Sequence, residues 1–240
     1  MQRRRFISQS LGAATLAVFA GAGRAAEGSK AARPAKLPPL PKRRTIKVAF
    51  LLGESANVID TAGPWEVFQD VMVDGLIGKR EPFELYTVGP SEQILTLTGG
   101  LKVKPHHSIE NAPQPNVIVV PAQRATDETR AWLRTASAKT DVTMSVCTGA
   151  FQLARAGLLD GIAATTHHDF WDAFAKEFPK IELRRGLRYV DNGRIATAGG
   201  LTSGIDMALH IVARYFGDDT AAATARYMEH SSEAWRGAKS

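Results

Sequence analysis

The sequence predicts an α/β domain with a mainly parallel sheet and helices on both of its faces. Two observations carry this reading. Asn116–Pro121 is a continuous apolar run, as expected of a strand buried on both faces, and Ile46–Leu52 and Val142–Val146 read as further strands. Stretches with helical spacing lie between them, and strand–helix alternation of this kind builds a parallel sheet. The first strand, Ile46–Leu52, ends at Gly53. Ala62–Val73 follows as a helix with Trp65, Val67, Phe68 and Val71 on its apolar face. Phe83–Val88 is the second strand, and Ile94–Val103 is a small hairpin around Gly99-Gly100. After the Asn116–Pro121 strand come a helix at Thr126–Ala138, the Val142–Val146 strand and a helix that starts just past Cys147. Ala163–Thr166 is a short strand, and His168–Phe178 a helix with Trp171, Phe174 and Phe178 on one side. Asn192-Gly193 joins 188–191 to 194–198, a strong hairpin signal. Ser203–Phe216 and Thr220–Met228 are the last helices.

The net charge of +6 does not describe this domain. Arg3-Arg4-Arg5-Phe6-Ile7 precedes an apolar run from Leu11 to Ala22, and Gly23 and Ala25 are small residues suited to a cleavage site. Residues 1–25 therefore read as a signal peptide cut after Ala25. The arginine pair followed by Phe6 resembles a twin-arginine signal, which exports folded proteins. A general secretory signal and an uncleaved anchor are the alternatives. The apolar run is too short to span a membrane, so no stable insertion is expected. Residues 26–44, with Pro34, Pro38, Pro39 and Pro41, read as a linker, 45–230 as the domain and 231–240 as a tail. From Thr45 onward 20 basic residues face 23 acidic ones, which argues against a nucleic-acid partner. The protein is expected in the periplasm, where its single cysteine has no intrachain disulfide partner.

That cysteine, Cys147, sits in Ser145-Val146-Cys147-Thr148-Gly149, between a strand and a helix. Small residues two positions either side of the sulfur suit a nucleophile elbow, a sharp turn that pushes one side chain out of the backbone. A helix N-terminus beside the thiol favours thiolate. The alternative is a buried structural cysteine. Sites in parallel sheets form at the carboxyl ends of strands, and Asp60 lies just beyond such an end. Asp60 reads either as a catalytic carboxylate or as a helix N-cap ahead of Pro64. Glu54, in the same loop, reads as a solvated residue or a second carboxylate. His167 ends the next strand and is either a base or a hydrogen-bonded strand-end histidine. The pairs His106-His107 and His167-His168 invite a metal, but neighbours on an extended chain point apart, so no metal site is expected.

Ser145-Val146-Cys147-Thr148-Gly149-Ala150, Ala156-Gly157-Leu158-Leu159-Asp160-Gly161 and Ala164-Thr165-Thr166-His167 resemble the ThiJ/PfpI superfamily, whose fold is that of class I glutamine amidotransferases. Asp60-Thr61-Ala62-Gly63-Pro64-Trp65-Glu66-Val67-Phe68 and Thr197-Ala198-Gly199-Gly200-Leu201-Thr202-Ser203-Gly204-Ile205-Asp206 resemble one branch, that of isonitrile hydratases and the sensor halves of AraC-type regulators. The resemblance implies a flavodoxin-like three-layer sandwich and a homodimer. It implies Cys147, Asp60 and Thr148 as catalytic residues acting on a small molecule without a cofactor. The activity implied is hydration of an isonitrile to an N-substituted formamide. Glyoxalase or deglycase chemistry, and a non-catalytic binding or redox-sensing module, are the alternatives. Many relatives carry two glycines where this chain has Ala122-Gln123, and often Trp where it has His168. Ala122, Gln123, His167 and His168 are therefore expected around an oxyanion hole and pocket, with backbone N–H donors from Thr148 and from Ala122 or Gln123.

The leader yields a direct test. Mass spectrometry of the protein isolated from the periplasm of an expressing bacterium should find Ala26 at the N-terminus, and Arg3→Lys with Arg4→Lys should block export.

Overall fold

The computed structural model describes residues 37, 39–75 and 78–237. The expected signal segment, and most of the linker, lie outside the described residues. Seven strands form one sheet: β1 (Ile46–Leu51), β2 (Phe83–Gly89), β3 (His107–Ser108), β4 (Val117–Val120), β5 (Val142–Ser145), β6 (Tyr189–Asp191) and β7 (Ile195–Ala198). Their order is β6-β7-β5-β4-β1-β2-β3, parallel throughout except for the β6–β7 hairpin. Six helices, α1 (Val58–Gln69), α2 (Asp127–Ser137), α3 (Gly149–Arg155), α4 (Trp171–Glu177), α5 (Ser203–Phe216) and α6 (Asp218–Tyr227), complete the α/β architecture the sequence predicts.

The period of two along each strand divides the core. Val48, Phe50, Val119 and Met144 face α1, α5 and α6, while Ala49, Leu51, Ile118 and Val120 face α2, α3 and α4. Register pairs Phe50 with Val119, Val120 with Ser145 and Ser145 with Thr197. The carboxyl ends of four strands therefore finish level, and the loops that leave them share one edge of the sheet. α5 seats tightly on that edge because Gly204 carries no side chain. A β-carbon there would lie 2.9 Å from the Val146 side chain.

Local structure departs from the sequence reading at five places. α1 starts at Val58, because the side chain of Asn57 accepts from the N–H of Ile59 (3.1 Å) and of Asp60 (3.4 Å). Asp60 is thus not the cap but a first-turn residue, and Pro64 lies inside the helix. Val73, read as the helix end, joins a two-stranded ladder with Arg80. Ala163–Ala164 pairs with Glu182–Leu183 outside the main sheet. His168–Phe170 is a 3-10 turn ahead of α4. The edge strand β3 is two residues long and without apolar pattern, which is why the sequence did not show it.

The domain also reaches beyond 45–230. The Leu40 N–H donates to the Arg214 carbonyl (3.1 Å), and Leu40 packs on the core. Trp235, expected in a tail, is 1% exposed, and its carbonyl accepts from the Tyr189 hydroxyl (3.0 Å). No helix among the described residues is long and apolar enough to cross a membrane. The buried indole yields the stability test: Trp235→Ala should cost about 3–5 kcal/mol in urea unfolding. A loss no larger than that of an exposed residue would make 231–237 a dispensable tail.

Candidate active site

Between the end of β5 and the start of α3 stand only Val146, Cys147 and Thr148. So abrupt a reversal requires left-handed backbone, and Cys147 has φ +58°. That conformation costs an ordinary L-residue about 1–2 kcal/mol. Three contacts enforce it. The Val146 N–H donates to the Val120 carbonyl (2.9 Å), the Cys147 N–H to the Gly199 carbonyl (2.8 Å), and the Thr166 hydroxyl to the Cys147 carbonyl (2.9 Å). Gly149 must be glycine, since a β-carbon there would lie 2.1 Å from the Val120 carbonyl oxygen. The elbow read from the sequence is therefore present, clamped by β4, β7 and the segment after Ala164. Cys147 is buried, with 6% of its surface exposed.

Asp60 projects from the first turn of α1 to the same place and is fully buried. Its Oδ2 accepts from the Ala122 N–H (3.1 Å), and Oδ1 is buried without a hydrogen-bond partner of ordinary geometry. Burial raises the carboxyl to about 6, opposed by the Ala122 N–H, the Cys147 thiol and the Leu201 N–H. The thiol is pushed up to about 11, first by burial and then by the charge of Asp60. The Thr148 N–H, the Leu201 N–H and the Thr148 hydroxyl act on it in the opposite direction. The thiolate expected from the helix N-terminus is thus not the resting state. α3 is a single short helix, and desolvation beside a carboxylate outweighs its dipole. At neutral pH the proton rests on sulfur and the negative charge on Asp60.

The other expected residues divide. The Thr148 N–H and hydroxyl both favour the charged form of the thiol. The Ala122 N–H is already taken by Asp60. The Gln123 side chain turns away: its amide donates to the Leu51 carbonyl (2.8 Å) and its Oε1 accepts from the Gly53 N–H, tying the β4 loop to the end of β1. His167 Nδ1 accepts from the Asp169 N–H (3.2 Å), and its ring fills the space a Gly200 side chain would need. His168 is exposed. His167 and His168 do not point apart as expected, because the chain there enters a 3-10 turn. The two rings stack at 4.3 Å, and donor atoms of His167, His168 and Asp169 lie within 4.8 Å of one another. Glu54 only accepts from the Thr96 N–H (3.3 Å). A cavity of about 250 Å³, lined in part by Leu52, Val58, Ala62, Trp65 and Val103, opens on the other flank of α1 and touches neither Cys147 nor Asp60.

Sequence reasoning missed Leu201 as a donor. It follows Gly199-Gly200, has φ +52°, and its N–H favours the charged forms of the thiol and the carboxyl. The glycine pair at the end of the next strand was the available signal.

A thiol on an elbow, faced by a carboxyl from the first βα unit, is the setting in which comparison with known proteins becomes informative. Residues 46–214 match the sequence profile of the DJ-1/PfpI family. The chain belongs to this family. It is 29% identical over 192 residues to the isonitrile hydratase of Pseudomonas putida, covering 78% of this chain and 79% of that protein. It is 30% identical over 190 residues to the HTH-type transcriptional regulator GbdR of Pseudomonas aeruginosa, covering 77% of this chain. That match spans about half of the regulator's length, 51%. Among solved structures, a ThiJ/PfpI family protein from Pseudomonas syringae superposes with TM-score 0.69 at 25% identity, over 87% of this chain and 84% of that one.

Burial of Asp60 has a measurable consequence for stability. Its folded-state pKa lies above the ordinary 3.8, so the native state binds the proton more tightly than the unfolded chain. The contribution is therefore greatest at acid pH and declines as pH rises from 3.8 through about 6, by an amount on the order of 2–3 kcal/mol. Asp60→Asn should remove that slope in urea titrations run across the same range. An unchanged slope would place the shifted proton elsewhere.

Proposed function

We propose that this protein is an exported cysteine hydratase that adds water to a small electrophile of the isonitrile type. Cys147 is the nucleophile and Asp60 the proton carrier. The observation that carries the reading is the buried Asp60 carboxyl beside the Cys147 thiol on the elbow. Similarity to an isonitrile hydratase across most of both chains supports it. Asp60 takes the thiol proton as sulfur bonds to the terminal carbon of the isonitrile, and returns that proton to the same carbon, giving a thioimidate. Water, deprotonated by Asp60, then adds to this carbon. The carbon–sulfur bond breaks, the sulfur regains a proton from Asp60, the remaining hydroxyl proton passes to nitrogen, and the N-substituted formamide leaves. Overall one isonitrile and one water give one formamide, and the steps need no cofactor.

A carboxyl near 6 suits this work, because it exchanges protons readily near neutral pH. The Thr148 and Leu201 N–H groups favour the charged form of the thiol, so they stabilise charge on the attacking and departing thiolate. Of the further donors the sequence pointed to, the Ala122 N–H is held by Asp60. We place the enzyme in the periplasm, delivered by the leader at 1–25, and as a homodimer, on the resemblance of the chain to its branch. A second reading, a ligand-binding module without turnover, draws support from the match to one half of a regulator and from the protonated thiol.

Turnover decides between them. Purified protein incubated with aliphatic and aromatic isonitriles should release formamides, followed by NMR, and Cys147→Ala should abolish release. Asp60→Asn should lower kcat/KM by about 10²–10⁴-fold. In the native enzyme kcat/KM should rise with pH through about 6, as Asp60 ionises. Saturable binding with no product from isonitriles, glyoxals or amides would favour the binding module.

A further inference from the structure

Resting on the reading of Cys147 as a nucleophile, we propose that Arg188 is a positioning residue for its site. Anchored on buried Asp206, Arg188 holds both ends of the Gly199–Thr202 turn, whose Gly199 carbonyl takes the Cys147 N–H. Asp206, in the first turn of α5, is fully buried and has both carboxylate oxygens engaged. Oδ2 accepts from Arg188 Nε (2.7 Å), and Oδ1 pairs with His230 Nε2 (3.0 Å). A carboxylate buried this deeply needs such partners, and they fix the plane of the guanidinium. Nη2 also pairs with Asp206 Oδ2 (2.5 Å), and Nη1 and Nη2 donate to the Thr202 hydroxyl at 3.3 Å each. The backbone of the same residue takes the other end of the turn, its carbonyl accepting from the Gly199 N–H (2.9 Å).

The turn needs this grip. Leu201 is a non-glycine residue at φ +52°, a conformation that costs about 1–2 kcal/mol. Its side chain is 40% exposed, so core packing does not pin it. Hydrogen bonds hold it instead: those of Arg188 at Gly199 and Thr202, and those from the Ser203 and Gly204 N–H groups to the Gly200 and Leu201 carbonyls (3.0 Å each). The Gly199 carbonyl also accepts from the Cys147 N–H, so the same turn supports the elbow. His230 enters through a left-handed residue, Glu229, at the end of α6, which couples the C-terminal segment to the same anchor.

The test reads the thiol directly and needs no substrate. Cys147 is the only cysteine, so ultraviolet thiolate absorbance and the rate of alkylation by iodoacetamide report on this residue alone. Thr202→Val leaves the Arg188–Asp206–His230 pairing intact and releases only the turn. It should raise the thiolate midpoint by about one pH unit and slow alkylation near neutral pH about tenfold. Arg188→Lys, which lacks a fork to hold Asp206 and Thr202 together, should do the same. Arg188→Met leaves Asp206 without its cation, and where it fails to fold the two milder variants decide. Folded Thr202→Val and Arg188→Lys proteins whose thiolate titration and alkylation match the native protein would overturn the proposal. Because neither readout involves turnover, failure to hydrate isonitriles would count against the enzymatic reading and leave this one standing.

Discussion

The rest of the site depends on the left-handed backbone of Cys147. An L-residue does not hold φ +58° unaided, and here three separate parts of the chain hold it. The Val120 and Gly199 carbonyls take the N–H groups of Val146 and Cys147, and Thr166 takes the carbonyl. These contacts come from the ends of neighbouring strands that finish level, so sheet register is what brings them together. Glycines at 149 and 204 let α3 and α5 come close enough for the loops to meet. Strain at the elbow is thereby offset by the order of the whole carboxyl edge.

Electrostatics at that edge run against the simple expectation for a cysteine at a helix start. A seven-residue helix beginning next to the thiol is overruled by burial and by a carboxylate beside it. The result is a paired acid and base, with the proton on sulfur and the charge on Asp60, rather than a standing thiolate. Such a pair is less exposed to chance oxidation than a free thiolate, because reactivity follows thiolate character. That property suits a lone cysteine in the oxidising compartment proposed for it. It also makes Asp60 a group whose charge opposes folding at neutral pH, the usual sign that a buried ionisable residue is retained for chemistry.

Much of this was legible in the sequence. A continuous apolar run gave β4, further strand runs gave β1 and β5, and Asn192-Gly193 gave the only antiparallel pair in the main sheet. Ser145–Gly149 gave the elbow, because small residues around one cysteine between a strand and a helix have few other uses. Less legible were features set by partners distant in sequence. Asn57 rather than Asp60 caps α1, a choice between two good capping residues that local propensity does not resolve. Trp235 looked like tail because its pocket is made by β6 and α5, and β3 carries no pattern.

Layers, elbow, and one thiol and an acid at strand ends were all readable from local periodicity and residue type. Tertiary structure alone decided where protons and donors sit. It placed Asp60 against Cys147, gave the Ala122 N–H to Asp60, and folded Gln123 back onto β1. It also brought Leu201 to the sulfur, with Arg188 bridging Asp206 and Thr202 behind it. The physical reason is that burial and hydrogen-bond geometry depend on distances between residues far apart in the chain, and the level ends of parallel strands set those distances.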